Sequence, residues 1–135
     1  MKNYKLIWLG IFCCLQPLIL FAQRGNWRSA PENSVAAIDS AIQMGVDIVE
    51  IDIHKTKDGQ LILMHDDRVD RTTNGKGLIK DYTLAEIKKL KLKDKDGNLT
   101  EHIVPTLEEA LLAGKGQIMF NLDKAYSVFD EVYAV

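Results

Sequence analysis

The sequence predicts an α/β fold, because helix and strand patterns follow one another along the chain. Apolar residues recur at helical spacing over residues 33–42, and apolar and polar side chains alternate over residues 49–54 as they do in a strand. A further apolar run over residues 117–122 predicts a buried strand. The chain has 135 residues, which is enough for one ordinary domain.

The composition is that of a globular protein. Hydrophobic residues make up 47% of the chain and charged residues 27%, which is typical of a folded domain and richer in apolar groups than a disordered one. The formal net charge of -2 offers no basic field, so we expect no nucleic-acid partner. Composition leaves the chemistry open.

The N-terminus has the pattern of a secretory signal. Lys2 and Lys5 precede an apolar run from Leu6 to Ala22, which is a little short for a membrane-spanning helix of ~20 residues. We therefore expect residues 1–22 to be a signal peptide, the product to be periplasmic or secreted, and no stable membrane span after its removal. Both cysteines, Cys13 and Cys14, lie in this segment, so the remaining chain has no disulfide or thiolate metal site.

The first helix is predicted to begin at Asn33 and to end before Gly45. Asn33 is an N-cap residue type, whose side chain is expected to accept a free backbone N–H of the first turn. Gly45 follows the helical pattern, where a glycine supplies the left-handed conformation that ends a helix. The alternating strand then runs from residue 46 to residue 54.

A hairpin is predicted next, since Asp58-Gly59 is a strong signal for a two-residue turn. The second strand then covers Gln60–His65. In such a hairpin Asp52 lies directly opposite His65, and opposed residues share one face of a sheet. Glu50, Asp52 and His65 would then form one polar patch, provided that this register holds.

The rest of the chain continues with helix starts and turns. A glycine-bearing loop covers residues 71–77, and a charged turn around Gly97 covers residues 93–100. Asp123 ends the predicted buried strand, and a helix is predicted to begin at Ser127. Two capping boxes predict helices at Thr83 with Glu86 and at Thr106 with Glu109.

Six short motifs in order resemble the glycerophosphodiester phosphodiesterase family. They are Pro31-Glu32-Asn33, Glu50-x-Asp52, Thr56-Lys57-Asp58-Gly59, His65-Asp66, Arg71-Thr72-Thr73 and Pro105-Thr106-Leu107-Glu108-Glu109. The resemblance implies a TIM-type (β/α) barrel of the phospholipase-C-like phosphodiesterase kind, with its active site at the C-terminal ends of the strands. Such a barrel typically needs ~250 residues. Residues 23–135 are therefore expected to be the N-terminal part of an incomplete barrel that requires association with itself or another chain.

The resemblance also implies a metal site. Glu50 and Asp52 match the family's metal ligands, and Asp123 matches a third ligand that is usually a glutamate in the family. Carboxylates suit a hard divalent cation, so Ca²⁺ or Mg²⁺ is expected. The family usually has a lysine two positions after the third ligand, whereas here Lys124 follows at once. If both residues lie in the strand, they point to opposite faces.

The remaining site residues match the family with one departure. His65 matches one of two histidines that move protons between the attacking and leaving oxygens, and Arg24 matches an arginine that contacts phosphate. The family motif is His-Arg-Gly, but this chain has Gln23-Arg24-Gly25. Glutamine can form hydrogen bonds but cannot exchange a proton near neutral pH. Gln23 thus replaces a catalytic histidine.

Two functions follow from the resemblance. The first is hydrolysis of small glycerophosphodiesters to glycerol 3-phosphate and an alcohol, a reaction of glycerophospholipid metabolism. The alternative is a catalytically impaired relative or gene fragment that binds metal or phosphodiester without turnover, which Gln23 favours. The family also has an apolar strand running into its His-Arg-Gly motif, and here the end of the signal-like segment, residues 18–22, occupies that place. The segment's end would then double as the first barrel strand.

Overall fold

The computed structural model describes residues 19–135. Helices and strands are interspersed along the chain, and short 3₁₀ turns at Ile79–Asp81 and Ala125–Val128 accompany them. The elements are β1 (Phe21–Gln23), α1 (Val35–Gln43), β2 (Ile48–Lys55), β3 (Leu61–Leu63), α2 (Leu84–Ile87), β4 (Lys91–Lys93), β5 (Leu99–Ile103), α3 (Leu107–Gly114), β6 (Met119–Asp123) and α4 (Phe129–Tyr133).

The main sheet has β2 at its centre. β1 and β6 pair with β2 in parallel, one on each side, and β3 pairs with the end of β2 in the antiparallel sense. Val49 and Ile51 of β2 are fully buried on one face, where they belong to a core shared with α1 and α3. Parallel strands with helices packed on one face are the arrangement expected of the incomplete (β/α) barrel that the resemblance implies.

The residues between β3 and α3 form a smaller unit with its own core. Met64, Val69 and Ile87 are buried there, and β4 and β5 form a separate antiparallel hairpin. This unit packs beside the C-terminal end of β2. Lys57 N–H, in the turn after β2, donates to the carbonyl of Tyr82 at 2.8 Å.

The hairpin between β2 and β3 has a different register from the predicted one. Thr56 N–H donates to the Gln60 carbonyl at 2.9 Å, so the loop has three residues. Gly59 has φ +80°, the left-handed conformation that closes such a loop. The added loop residue shifts the pairing by one, and Asp52 lies opposite Met64 rather than His65. The predicted opposition of Asp52 and His65 is therefore wrong.

Three other element predictions change. Ser34, not Asn33, is the N-cap of α1, since its Oγ accepts the N–H of Ala37 at 3.1 Å. The strand predicted at residues 117–122 begins at Met119 and is not buried, because within residues 19–135 it has a strand neighbour on one side only. The helix predicted from Ser127 begins at Phe129, after a 3₁₀ turn.

The other turn and cap predictions are confirmed, except that the charged turn is shorter than residues 93–100, because β4 ends at Lys93 and β5 begins at Leu99. Gly45 and Gly97 have positive φ in their predicted turns. Thr83 and Thr106 each cap their helix in a full capping box with the glutamate three residues on. In the part of the chain that the structure describes, no helix has the length and apolar character needed to cross a membrane.

The predicted signal peptide overlaps the described fold at its end. Residues 1–18 lie outside the described residues, but Phe21 and Ala22 belong to β1 and pair with Ile48 and Val49. Leu20 also takes part, since its N–H donates to Asp47 Oδ2 at 2.8 Å. The end of the apolar run thus forms the first strand of the sheet, and the signal peptide itself stays a prediction.

Candidate active site

Three carboxylates meet at the C-terminal end of the parallel strands. Glu50 and Asp52 lie on one face of β2. Asp123, the last residue of β6, pairs with Asp52 in the parallel register. One carboxylate oxygen from each residue lies within 4.8 Å of the others. Asp52 is buried, Glu50 half-buried and Asp123 exposed, so the cluster opens to solvent on one side. The structure brings together the three residues predicted as metal ligands.

Asn33 holds the buried carboxylate in place. Its Nδ2 donates to Asp52 Oδ2 at 2.8 Å, and its Oδ1 accepts the backbone N–H of Asp52 at 3.1 Å. Asn33 is buried and has φ +53°, a conformation that asparagine adopts more readily than most residues. Sequence reasoning assigned Asn33 to a helix cap. Its place in the Pro-Glu-Asn motif was the signal that could have marked it as part of the site.

The donor set fits a hard divalent cation. Asp52 Oδ1 is buried and accepts no hydrogen bond, which is costly for a carboxylate oxygen unless a cation compensates it. The ammonium of Lys124 lies 3.4 Å away. Oxygen atoms from Glu50, Asp52 and Asp123 are the ligand type that Ca²⁺ and Mg²⁺ prefer. These three residues could therefore hold such an ion.

Lys124 faces the same site as Asp123 although the two are neighbours in sequence. β6 ends at Asp123, and Lys124 has φ +60°, which turns the chain out of the strand. Its ammonium approaches Asp52 and also donates to the backbone carbonyl of His65. The expectation of opposite faces applied only to two strand residues. The left-handed turn thus allows both side chains to reach the site.

Gln23 and Arg24 follow β1 to the same edge of the sheet. Gln23 is level with Glu50 in the parallel register, so both side chains lie on the carboxylate face. Arg24 Nε lies 3.7 Å from Asp52 Oδ2, and Arg24 Nη1 lies 3.6 Å from Glu32 Oε1. Arg24 Nε is buried without a hydrogen-bond acceptor. The guanidinium thus lies among carboxylates, and its Nε–H has no acceptor among the described residues.

His65 follows the end of β3 and is fixed by the next residue. Its Nδ1 lies 2.7 Å from Asp66 Oδ1. Hydrogen bonds from Arg71 hold the pKa of Asp66 well below its usual range, so this carboxylate is ionised and can only accept. The proton of a neutral His65 ring therefore resides on Nδ1, which leaves Nε2 able to accept a proton. Lys124 connects His65 to the cluster, because its ammonium donates to the His65 carbonyl and also lies beside Asp52.

Comparison with known proteins agrees with this geometry. The model of the glycerophosphoryl diester phosphodiesterase family matches residues 24–134. A glycerophosphodiester phosphodiesterase from Caldanaerobacter subterraneus subsp. tengcongensis is 43% identical over 107 residues, which are 78% of this chain and 44% of that protein.

Solved structures show the same likeness. A glycerophosphoryl diester phosphodiesterase from Parabacteroides distasonis is 33% identical with a TM-score of 0.78, over 86% of this chain and 42% of that chain. An Oleispira antarctica phosphodiesterase, solved with the product sn-glycerol-3-phosphate, is 37% identical with a TM-score of 0.72, over 78% of this chain and 43% of that chain. This chain spans less than half the length of each of these relatives. It belongs to the glycerophosphoryl diester phosphodiesterase family.

Proposed function

We propose that the protein hydrolyses glycerophosphodiesters to glycerol 3-phosphate and an alcohol, with one bound Ca²⁺ or Mg²⁺. The observation that carries this proposal is the cluster of Glu50, Asp52 and Asp123, whose carboxylate oxygens lie within 4.8 Å of one another at the end of the parallel strands. The glycerol-3-phosphate in the related Oleispira antarctica structure supports the product class.

The side chains around the cluster have distinct roles in this proposal. A cation on the carboxylates would polarise the phosphate oxygens and offset the charge that develops on them. Arg24 contacts the phosphate through its partly exposed guanidinium, whose Nε has no hydrogen-bond acceptor among the described residues. His65 transfers a proton through Nε2, because Asp66 engages Nδ1.

A second function is favoured by Gln23. This residue stands at the end of β1, level with Glu50, where the family has a histidine. Its amide can orient a substrate oxygen but cannot take or give a proton near neutral pH. The alternative is therefore a protein that binds a cation and a phosphodiester with little or no turnover.

Hydrolysis of glycerophosphocholine by the full chain separates the two functions. We would measure release of glycerol 3-phosphate with added Mg²⁺ or Ca²⁺, with chelator, and in the variants Gln23→His and His65→Ala. Metal-dependent release that His65→Ala abolishes supports hydrolysis. Absence of release by the parent chain, restored in Gln23→His, supports the binding function. Absence of release by both chains, with the fold intact, contradicts the proposed hydrolysis.

Export to the periplasm or the exterior is also part of the proposal. It is supported by the basic residues and apolar run at the N-terminus. A cut directly after Ala22 would remove Phe21 and Ala22 from β1 and the Leu20 contact with Asp47. A fold that keeps β1 therefore requires any cleavage to fall before Leu20. The mass of the exported chain tests this, and a product that begins at Gln23 would contradict the need for β1.

A further inference from the structure

Arg71 joins two segments that are distant in sequence. Its Nη1 and Nη2 donate to the two carboxylate oxygens of Glu32 at 2.9 and 2.8 Å. Its Nε and Nη2 donate to Asp66 at 2.7 and 3.0 Å. Glu32 precedes α1 and Asp66 follows β3, so one guanidinium engages a carboxylate from each of these two segments.

Each of these carboxylates also contacts a proposed site residue. Asp66 accepts from His65 Nδ1 at 2.7 Å, and Glu32 lies 3.6 Å from Arg24 Nη1. Arg24 in turn lies 3.7 Å from Asp52. A continuous series of polar contacts therefore runs from the imidazole to the buried carboxylate of the cluster, and Arg71 connects the His65 end of the series to the Asp52 end.

The charges of this series are coupled. Burial opposes ionisation of Glu32, but hydrogen bonds and charge from Arg71, with a contribution from Arg24, lower its pKa overall. The pKa of Arg71 is raised by its hydrogen bonds to Glu32 and then to Asp66. All three groups are thus ionised near neutral pH. The two bidentate ion pairs of Arg71 also fix the orientation of the guanidinium relative to both carboxylates, which a single ammonium group could not do.

We propose that Arg71 is a positioning residue for the phosphodiesterase site, a role that rests on the proposed function. It sets the orientation of the His65 ring through Asp66 and that of the Arg24 guanidinium through Glu32. Its planar fork, and not only its charge, is required for this. Arg71 contacts neither the carboxylate cluster nor the reactive Nε2 of His65, so its effect on the reaction passes through its two partners.

The competing account is that Arg71 only stabilises a loop. In that account Arg71 stabilises the segment after β3, and the state of the imidazole does not depend on it. The two accounts differ in one measurable property, which is the proton distribution on His65. If Arg71 only stabilises the loop, a folded chain that lacks Arg71 should keep the proton distribution of the parent.

The test compares four forms of the full chain: the parent, Arg71→Gln, Arg71→Lys and the control Arg68→Gln. Arg68 is an exposed arginine of the same loop that pairs with Asp70 and not with the series. The ¹⁵N shifts of the His65 ring report which nitrogen carries the proton, with His65→Gln used for assignment. Circular dichroism confirms that each variant is folded.

The parent and Arg68→Gln are expected to show the proton of neutral His65 on Nδ1. Arg71→Gln is expected to lose this preference, and the carboxyl ¹³C titration of Asp66 is expected to move up toward the ordinary range. Arg71→Lys should fall between them. If Arg71→Gln does not fold, Arg71→Lys is used for the test, because lysine keeps the positive charge but lacks the planar guanidinium. A folded Arg71 variant with the parent's ¹⁵N pattern and Asp66 titration would overturn the proposal.

Activity provides a second and separate readout. In a form that hydrolyses glycerophosphocholine, Arg71→Gln should lower kcat by about 10–100-fold, as the loss of a hydrogen-bond partner that orients a site residue typically does, with partial recovery in Arg71→Lys. An equal fall in Arg68→Gln would contradict the role of Arg71. The ring ¹⁵N shifts need no turnover, so an inactive parent chain would count against hydrolysis and not against the positioning of His65.

Discussion

Three residues other than glycine have a left-handed backbone within residues 19–135, and all three contact Asp52. Arg24 and Lys124 approach its carboxylate with their charged groups, and Asn33 donates a hydrogen bond to it. This conformation costs about 1–2 kcal/mol for a residue with a side chain. Strain of this kind persists where the surrounding structure imposes it, and it concentrates at functional sites. At the residue scale, Asp52 is the centre of the site.

Asn33 gives the first prediction at this scale. Asn33→Ala and Asn33→Gly both remove the amide that holds Asp52, so each should weaken Ca²⁺ binding by about 10–100-fold in a calorimetric titration. Only alanine also bears the strain of φ +53°. We therefore expect Asn33→Ala to unfold more easily than Asn33→Gly by about 1 kcal/mol in urea. Parent-like cation affinity in both variants would show that Asn33 does not position the carboxylate.

Lys124 gives the second prediction at the residue scale. Its ammonium is 3.4 Å from Asp52 Oδ1, so it opposes entry of another cation at this oxygen. Lys124→Met should raise the affinity for Ca²⁺ by up to about fivefold, since a partly exposed ion pair contributes about 0–1 kcal/mol. Lys80→Met, a change at an exposed lysine outside the site, is the control. A lower Ca²⁺ affinity in Lys124→Met would mean that the ammonium supports the cation instead.

At the scale of elements, the sequence predicted local features better than register. The capping boxes at Thr83 and Thr106 form as expected, because each depends on residues three positions apart. The opposition of Asp52 and His65 failed, because one additional loop residue shifts the whole pairing. The role of Asn33 was missed for a related reason: its partner lies nineteen residues away on another element.

The loop between β1 and α1 depends on a close approach to the helix. A Cβ at Gly25 would lie 2.6 Å from Ala37 Cβ and 2.9 Å from its carbonyl oxygen, whereas a Cβ at Gly45 meets nothing within 4 Å. Both glycines have positive φ, so alanine is strained at either position. We expect Gly25→Ala to lower the unfolding free energy in urea by about 1–3 kcal/mol more than Gly45→Ala. Equal losses would show that this contact is easily relaxed.

The ion pairs that join this loop to the segment after β3 predict a loss of stability in acid. The pKa of Asp66 is lower in the folded chain than its unfolded value of ~3.9. The unfolded chain therefore binds more protons in acid. The stability from Asp66 is complete above pH ~4 and is lost as the pH falls toward the folded pKa. Glu32 acts in the same direction.

Urea unfolding at a series of pH values from 7 down to 2 measures this effect. The parent chain should lose unfolding free energy below pH ~4, and Arg71→Gln should show a shallower loss, because it lacks the donor that lowers both pKa values. Arg28→Gln is the control, since Arg28 lies over the ring of Trp27. Identical acid slopes in the parent and Arg71→Gln would contradict this account.

At the scale of the whole molecule, the carboxylate face of the sheet is open. Phe21 and Met119 lie on this face below the carboxylates and are 52% and 59% exposed. Exposed apolar patches of this kind mark surfaces that another part of a protein or another chain covers. The expectation that the chain associates with itself or another chain stays a prediction, and these side chains are its physical reason.

The central claim is that the carboxylates of Glu50, Asp52 and Asp123 bind one divalent cation. Isothermal titration of the full chain with Ca²⁺ and with Mg²⁺ tests it most directly, alongside Asp52→Asn and the control Asp39→Asn. Asp39 is an exposed carboxylate on α1, away from the cluster. We predict one saturable site per chain that Asp39→Asn keeps and Asp52→Asn loses. No saturable binding by the folded parent, or equal binding by Asp52→Asn, would contradict the claim.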